Sequence, residues 1–323
     1  MKLSNIRKIL FITLSNIGDV ILTLPVLSAL KDNFPGASID IVVGPRPEQV
    51  FKKDPSLNNI FVYDKHAPLK DKFRLVKKLR AERYDLAIDM KTSLLPAFAG
   101  ARNRAGLFFK SRSGAKHKRL IHLEALKPFG IGYREQKNIY IDEESRRRVE
   151  TILMDNGVTG ADTLIGVSPG SKSLLKQWKK QGFIDVIAGV LQNHRCKIIL
   201  TGDASETGLS GEIACAVNRP GLINLTGKIN LNELFALIEK LDLFLTCDSA
   251  GMHIASDLAV PVVAIFGPTD PEEYGPRGAG DVVIRKALGC SPCKKAVCKL
   301  GTRECMETIT AQEVLAAIKT LTS

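Results

Sequence analysis

The feature that most constrains this chain is its rhythm. Short apolar runs rich in β-branched residues alternate with amphipathic stretches of helical spacing, and the alternation breaks and restarts once. In the first half, residues 8–13 (KILFIT), 38–43 (SIDIVV), 60–63 and 85–89 (DLAID) read as strands, and 20–33 and 69–83 as helices. Pro35 and Gly36 end the first helix. In the second half strands are expected at 163–168, 196–201 (CKIILT), 242–246 (DLFLT) and 262–266. Helices are expected at 181–192, 205–217, 231–239, up to Ala259, and at 311–321. A highly charged helix at 142–156, followed by Gly157 and Gly160, marks the break. Consecutive parallel strands need a crossover, and a helix is the usual one, so this order implies parallel sheets covered by helices on both faces.

A length of 323 residues accommodates two such blocks. The expected architecture is α/β, with two Rossmann-like domains, 1–157 and 158–323, facing across a cleft. Each is long enough to bury a core without disulfide or metal staples. No apolar run reaches the length of a membrane span. The opening segment, basic and then apolar, lacks a small-residue cleavage site and reads as a first strand, so a cytoplasmic location is expected. Seven cysteines in a chain of this size suit a reducing compartment.

The charge is lopsided. The net formal charge is +12, and residues 1–155 hold 29 Lys and Arg against 17 Asp and Glu, while the remainder holds 17 of each. No acidic residue occurs between Asp89 and Glu124, a stretch that carries Lys91, Arg102, Arg104, Lys110, Arg112, Lys116, Lys118 and Arg119. Such a field favours an anionic partner. The segment has no helix-turn-helix, zinc-finger or RNP pattern, so nucleic acid is disfavoured, and anionic lipid or a phosphorylated glycan fits better.

Four segments carry candidate chemistry. The first, 15–20 (SNIGDV), joins strand to helix where ligands of open α/β sheets bind. Gly18 allows close backbone approach, and Asp19 is either a general base or a helix cap. The second, 247–253 (CDSAGMH), opens a helix whose free N–H groups suit phosphate. Ser249, Ala250 and Gly251 leave room for an anion, Asp248 suits a hydroxyl, and His253 is a ligand contact or a structural histidine. The third, 169–178, offers Ser171, Lys172, Lys176 and Trp178, with Glu206 at the end of the next strand as a ribose contact or a solvated acid. The fourth, Cys290, Cys293, Cys298 and Cys305, could make a structural zinc site, although the spacing matches no standard ribbon or finger. There is no G-x-G-x-x-G, which disfavours a dinucleotide enzyme, and no complete P-loop around Gly227-Lys228. No D-x-D pair is present to hold a metal against a diphosphate.

Taken in order, 16–25 (NIGDVILTLP), Lys176-x-Trp178, 248–253 (DSAGMH) and 266–271 (FGPTDP) resemble glycosyltransferase family 9, the ADP-heptose:lipopolysaccharide heptosyltransferases. The resemblance spans nearly the whole chain. It implies a GT-B fold and metal-independent, inverting transfer of a heptose from ADP-heptose to the inner core of lipopolysaccharide. No cofactor is required. By the same resemblance Asp19 is the base, and Lys176 and Ser171 bind the donor phosphates. Asp248 binds sugar hydroxyls, and Ser249, Ala250, Gly251 and His253 line the diphosphate and sugar site. Glu206 meets the ribose, and Lys228 and Ile229 lie near adenine. Ala250 stands where the family often has glycine, and Ser171-Lys172 where some members have two threonines.

The basic half, including Arg102 and Arg104, is then expected to face the Kdo carboxylates and phosphates of a lipid-anchored acceptor, with peripheral contact at the cytoplasmic face of the inner membrane. The alternatives are a relative that uses another nucleotide sugar and a non-catalytic nucleotide-sugar-binding protein.

Overall fold

The computed structural model describes residues 3, 5–105, 114, 116–193 and 195–322. Lys110 and Arg112 of the basic stretch lie outside the described residues. The chain divides into two compact units, Met1–Tyr140 and Ile141–Ser323.

The first unit is built on β1 (Lys8–Ile12), β2 (Ser38–Val43), β3 (Asn59–Val62), β4 (Leu86–Asp89) and β5 (Asn103–Ala105). The described strands pair in the order β3-β2-β1-β4-β5, all parallel. Its helices are α1 (Ile17–Ile21), α2 (Leu24–Asn33), α3 (Leu69–Ala81), α4 (Leu95–Phe98) and α5 (Lys118–Glu124). The central strands are buried on both faces, which is why 9–12 and 41–43 are continuous apolar runs rather than alternating ones. The single helix expected at 20–33 is two. The Thr23 hydroxyl donates to the Val20 carbonyl at 2.7 Å and meets the Thr13 hydroxyl at 2.7 Å, and Pro25 restarts the helix just beyond. Asp40 is buried in β2 and accepts from the Tyr84 hydroxyl at 2.7 Å and from the side chains of Asn58 and Asn59 at 2.8 and 3.0 Å. Burial beside that carboxylate pushes the Tyr84 phenol far up.

The second unit carries β6 (Thr163–Ser168), β7 (Cys196–Leu200), β8 (Leu222–Asn224), β9 (Leu243–Cys247), β10 (Val262–Ile265) and β11 (Val282–Ile284). Their order is β11-β10-β9-β6-β7-β8, again parallel throughout. The helices are α6 (Glu143–Asp155), α7 (Lys180–Val190), α8 (Thr207–Val217), α9 (Leu231–Glu239), α10 (Ala250–Asp257), α11 (Pro271–Tyr274), α12 (Glu304–Glu307) and α13 (Ala311–Thr322). The break between units falls ahead of α6 rather than after 157. The charges that made α6 look like a boundary bind it to the second unit. Arg146 bonds both Glu239 oxygens at 2.9 and 3.0 Å, and Lys240 pairs with Glu150 at 2.7 Å.

Tyr84→Phe leaves a buried Asp40 oxygen without its donor. It is expected to lower the unfolding free energy by about 1–3 kcal/mol in a denaturant titration.

Candidate active site

In the first unit the carboxyl edge of the sheet gathers polar groups. The turn after β1 brings Ser15, Asn16 and Asp19 to the start of α1. Gly44, after β2, lets this turn close, since a Cβ there would sit 3.1 Å from the Ser15 Cα. Asp19 is partly exposed and accepts from the Asn16 side chain at 2.9 Å. Asn16 makes no side-chain cap bond, so α1 does not use this pair as a cap. From β4, the buried Asp89 carboxylate accepts from the Lys91 and Ser93 backbone N–H groups at 2.7 and 2.6 Å and from the Ser93 hydroxyl at 2.7 Å. Burial pushes its pKa up against those bonds. The loop so closed aims Lys91 at Ser15, Nζ to Oγ 2.9 Å, with the ammonium 5.1 Å from the Tyr63 ring centroid. Burial lowers the Lys91 pKa, and the Asp89 charge opposes this. Sequence reasoning counted Lys91 only as charge. The signal it missed was the short spacing from Asp89 at a strand end.

His122, on α5, is electrostatically coupled to Asp19. Burial drives its pKa down to about 4, and the Asp19 charge only partly offsets that. His122 is therefore neutral near pH 7.

Of the cations expected on the acceptor side, Arg102 and Arg104 do not gather here. Arg102 lies at the opposite, amino edge of the sheet, 3.7 Å from Asp85, whose carboxylate accepts from the Arg7 and Lys8 N–H groups at the start of β1. Arg104 sits within the edge strand β5, exposed. Arg119 is committed internally to Glu135 and to the Tyr133 hydroxyl, the latter at 2.7 Å.

In the second unit the site is built around a buried carboxylate. Asp248, just past β9, is 6% exposed, and its Oδ2 takes both the Lys176 ammonium at 2.7 Å and the Thr269 hydroxyl at 2.6 Å. A buried charge needs such partners. Lys176 is fixed by its neighbours. The Trp178 indole is buried, donates to the Ile309 carbonyl at 3.2 Å and stacks edge-on with Phe183 at 5.0 Å. Gly182 makes room for it, since a Cβ there would run into the indole. Arg303 donates to the Gln177 carbonyl between them. Ser249 precedes α10 in an extended conformation, and its hydroxyl meets Thr246 Oγ1 at 2.9 Å instead of capping the helix. The first N–H groups of α10, with Ala250 and Gly251, are thus left for a ligand. Gly251 also packs against Phe244. His253 is buried one turn on.

Beside this lies a second cluster. Glu206 occupies the space over Gly170 and Gly202, where a Cβ on either would collide with its carboxylate, and it accepts the Asp203 N–H at 2.9 Å. Burial raises its pKa. Gly227 bonds Gly202 at 3.0 Å and adopts a left-handed φ of 70°, which brings the exposed Lys228 and half-buried Ile229 to the same strand ends. Ser171 sits in the loop after β6, whose Lys172 pairs with Asp203. Thr269, Arg303 and Thr226, whose buried hydroxyl has no partner among the described residues, were not foreseen. Only the Thr of FGPTDP had a sequence signal.

Cys290, Cys293, Cys298 and Cys305 are free thiols. Burial raises the Cys305 pKa, and the other three lie close enough to add to that rise. Yet among the described residues no group of three or more Cys, His, Asp and Glu could hold a metal ion. Their loop also contacts the segment after β10. The Ser291 hydroxyl donates to the Gly267 carbonyl at 2.6 Å and the Lys294 N–H to the Pro268 carbonyl at 2.7 Å, beside Thr269.

Residues 72–303, most of the chain, match glycosyltransferase family 9 (heptosyltransferase). The chain belongs to this family. It is therefore a glycosyltransferase of the heptosyltransferase family. It is 30% identical over 283 residues to lipopolysaccharide heptosyltransferase 3 of Escherichia coli K12, covering 78% of this chain and 80% of the relative. The structure is similar to the family 9 glycosyltransferase of Veillonella parvula, with a TM-score of 0.85, 25% identity and coverage of 99% and 98% of the two chains. It shares its fold with E. coli heptosyltransferase WaaC with ADP-2-deoxy-2-fluoro heptose, with a TM-score of 0.73, 19% identity and coverage of 97% and 99%. The two parallel sheets are those of the GT-B fold.

Two tests follow from these packings. Gly182→Ala should overpack the Trp178 pocket and cost about 1–3 kcal/mol in denaturant unfolding. His122 binds its proton less readily folded than unfolded, so its contribution is present above pH 6.5 and lost as pH falls toward 4. Wild type should lose on the order of 3 kcal/mol over that window relative to His122→Gln, measured by unfolding at each pH.

Proposed function

We propose that this glycosyltransferase moves a heptose from ADP-heptose to the Kdo-containing inner core of lipopolysaccharide, with inversion at the anomeric carbon. The observation that carries the donor half of this reading is Lys176 held 2.7 Å from the buried Asp248 at the start of α10. A diphosphate at that helix start would draw on the free N–H groups and the Lys176 charge, and Asp248 would accept hydroxyls of the sugar. Ser171, Ser249, Ala250, Gly251 and His253 line the same place, and Glu206, Lys228 and Ile229 take the ribose and adenine. An ADP-sugar seated in a structure of the same fold supports the choice of nucleotide.

Asp19 is the general base. Its carboxylate takes the proton of the acceptor hydroxyl while that oxygen attacks the anomeric carbon. The bond from that carbon to the diphosphate breaks, and ADP leaves with its charge neutralised by Lys176 and the helix start. Gly18 leaves room for the acceptor. On the acceptor side Lys91 replaces Arg102, which sits at the far edge of the sheet, and Arg104 takes an outer anionic group. No metal enters the step, and transfer is expected to persist in EDTA. The protein works in the cytoplasm at the inner leaflet. No helix among the described residues is long and apolar enough to cross a membrane.

The test is transfer itself. Purified protein with ADP-heptose and a Kdo-lipid acceptor should add the mass of one heptose. Lys176→Ala should raise the donor KM by tenfold or more, about the worth of one charge-assisted contact. Transfer only from a different nucleotide sugar would overturn the choice of donor. Saturable ADP-heptose binding without transfer to any Kdo-containing acceptor would favour a binding protein.

A further inference from the structure

Two helices of the first unit expose what soluble helices bury. On α3, Leu75, Val76 and Leu79 face the core, which satisfies one apolar stripe. Leu69 and Phe73, one turn apart on another face, are each 70% exposed. The short α4 packs beside α3, and Leu94 and Phe98, also one turn apart, are 58% and 53% exposed. Helical spacing places Lys70, Lys77 and Arg80 on the side of α3 that carries Phe73. Along α3 there are six basic residues and one acid, Asp71, which is taken up by Arg74 at 3.1 Å. Lys70, Lys77, Lys78 and Arg80 have no carboxylate within ion-pair distance among the described residues.

We infer that the α3–α4 face docks the enzyme on an anionic lipid bilayer. Leu69, Phe73, Leu94 and Phe98 enter the headgroup boundary, and the unpaired cations of α3 meet lipid phosphates. Exposed aromatic and aliphatic side chains beside unneutralised lysines are the signature of a helix lying in a membrane interface. Charge complementarity decides the occupant, because a second copy would bring the same excess of cations against itself. The face deepens the proposed function, since it rests on the reading that the acceptor is held in a membrane. It also moves the charged part of the attachment from the cations of residues 91–119, where counting charge placed it, to those of α3.

The full chain would be sedimented with phosphatidylcholine vesicles containing about a third phosphatidylglycerol, and with pure phosphatidylcholine vesicles. Wild type should bind the anionic vesicles and release them at high salt. Phe73→Glu with Phe98→Glu should cut binding by about tenfold or more. Lys70→Gln, Lys77→Gln and Arg80→Gln together should cut it as well, both variants melting as wild type does. Both should transfer heptose normally to a Kdo disaccharide free of acyl chains, but show a raised KM for the acceptor in vesicles. Equal binding by wild type and both variants, or no preference for anionic vesicles, would overturn the proposal. So would a wild-type dimer that the Phe variant dissolves without any loss of vesicle binding. Vesicle binding through these residues by a protein that transfers no heptose to either acceptor would sustain the docking face and sink the proposed function instead.

Discussion

In a parallel sheet every strand delivers its following loop to the same edge, and this constraint organises both units. All described strand pairs are parallel, five strands in one unit and six in the other. In the first, Ser15, Asn16 and Asp19 after β1 and Asp89, Lys91 and Ser93 at the end of β4 share an edge because those strands are neighbours. In the second, Ser171, Gly202, Asp248 and Gly267 follow β6, β7, β9 and β10 in the same way. Chemistry therefore concentrates at strand ends, and the helices that follow turn their positive ends toward it.

The buried Asp248 carboxylate shows what holds such an edge in place. Lys176 and Thr269 reach one of its oxygens from loops far apart in sequence. Each loop has its own anchor. Trp178 pins the first into the core, and Ser291 and Lys294 clasp the backbone ahead of the second. Arg303 reaches back to Gln177 from the far end of the cysteine loop. An unpaired carboxylate at this depth would be costly, so the geometry of this strand edge is coupled to the folding of three separate loops.

Much of this was legible from residues alone. The buried strands of parallel sheets are continuous apolar runs, and β1, β2, β6, β7, β9 and β10 were found within a residue or two. The motifs that singled out Asp19 and Asp248 fall just past strand ends, and the one that holds Lys176 falls in the loop after β6. The three-residue strands β5, β8 and β11 and the short helix α4 carry too little pattern to stand out. Partners set by the fold were hidden for another reason. Nothing local pairs Lys91 with Ser15 or Arg303 with Gln177. Charge counting placed Arg102 near the acceptor because it carries no direction, and Asp85 draws that side chain to the other edge. Cysteine spacing likewise fixed nearness without ligand geometry.

We propose that Asp19 in the first unit supplies the base and that the second unit binds the donor. The direct measurement is the pairing of ADP-heptose affinity, by calorimetry, with acceptor-dependent ADP release, for wild type and Asp19→Asn. Asp19→Asn is expected to bind ADP-heptose as wild type does and to release ADP at least about a hundredfold more slowly, the lower end of what a general base supplies. An Asp19→Asn protein that releases ADP at the wild-type rate would contradict it.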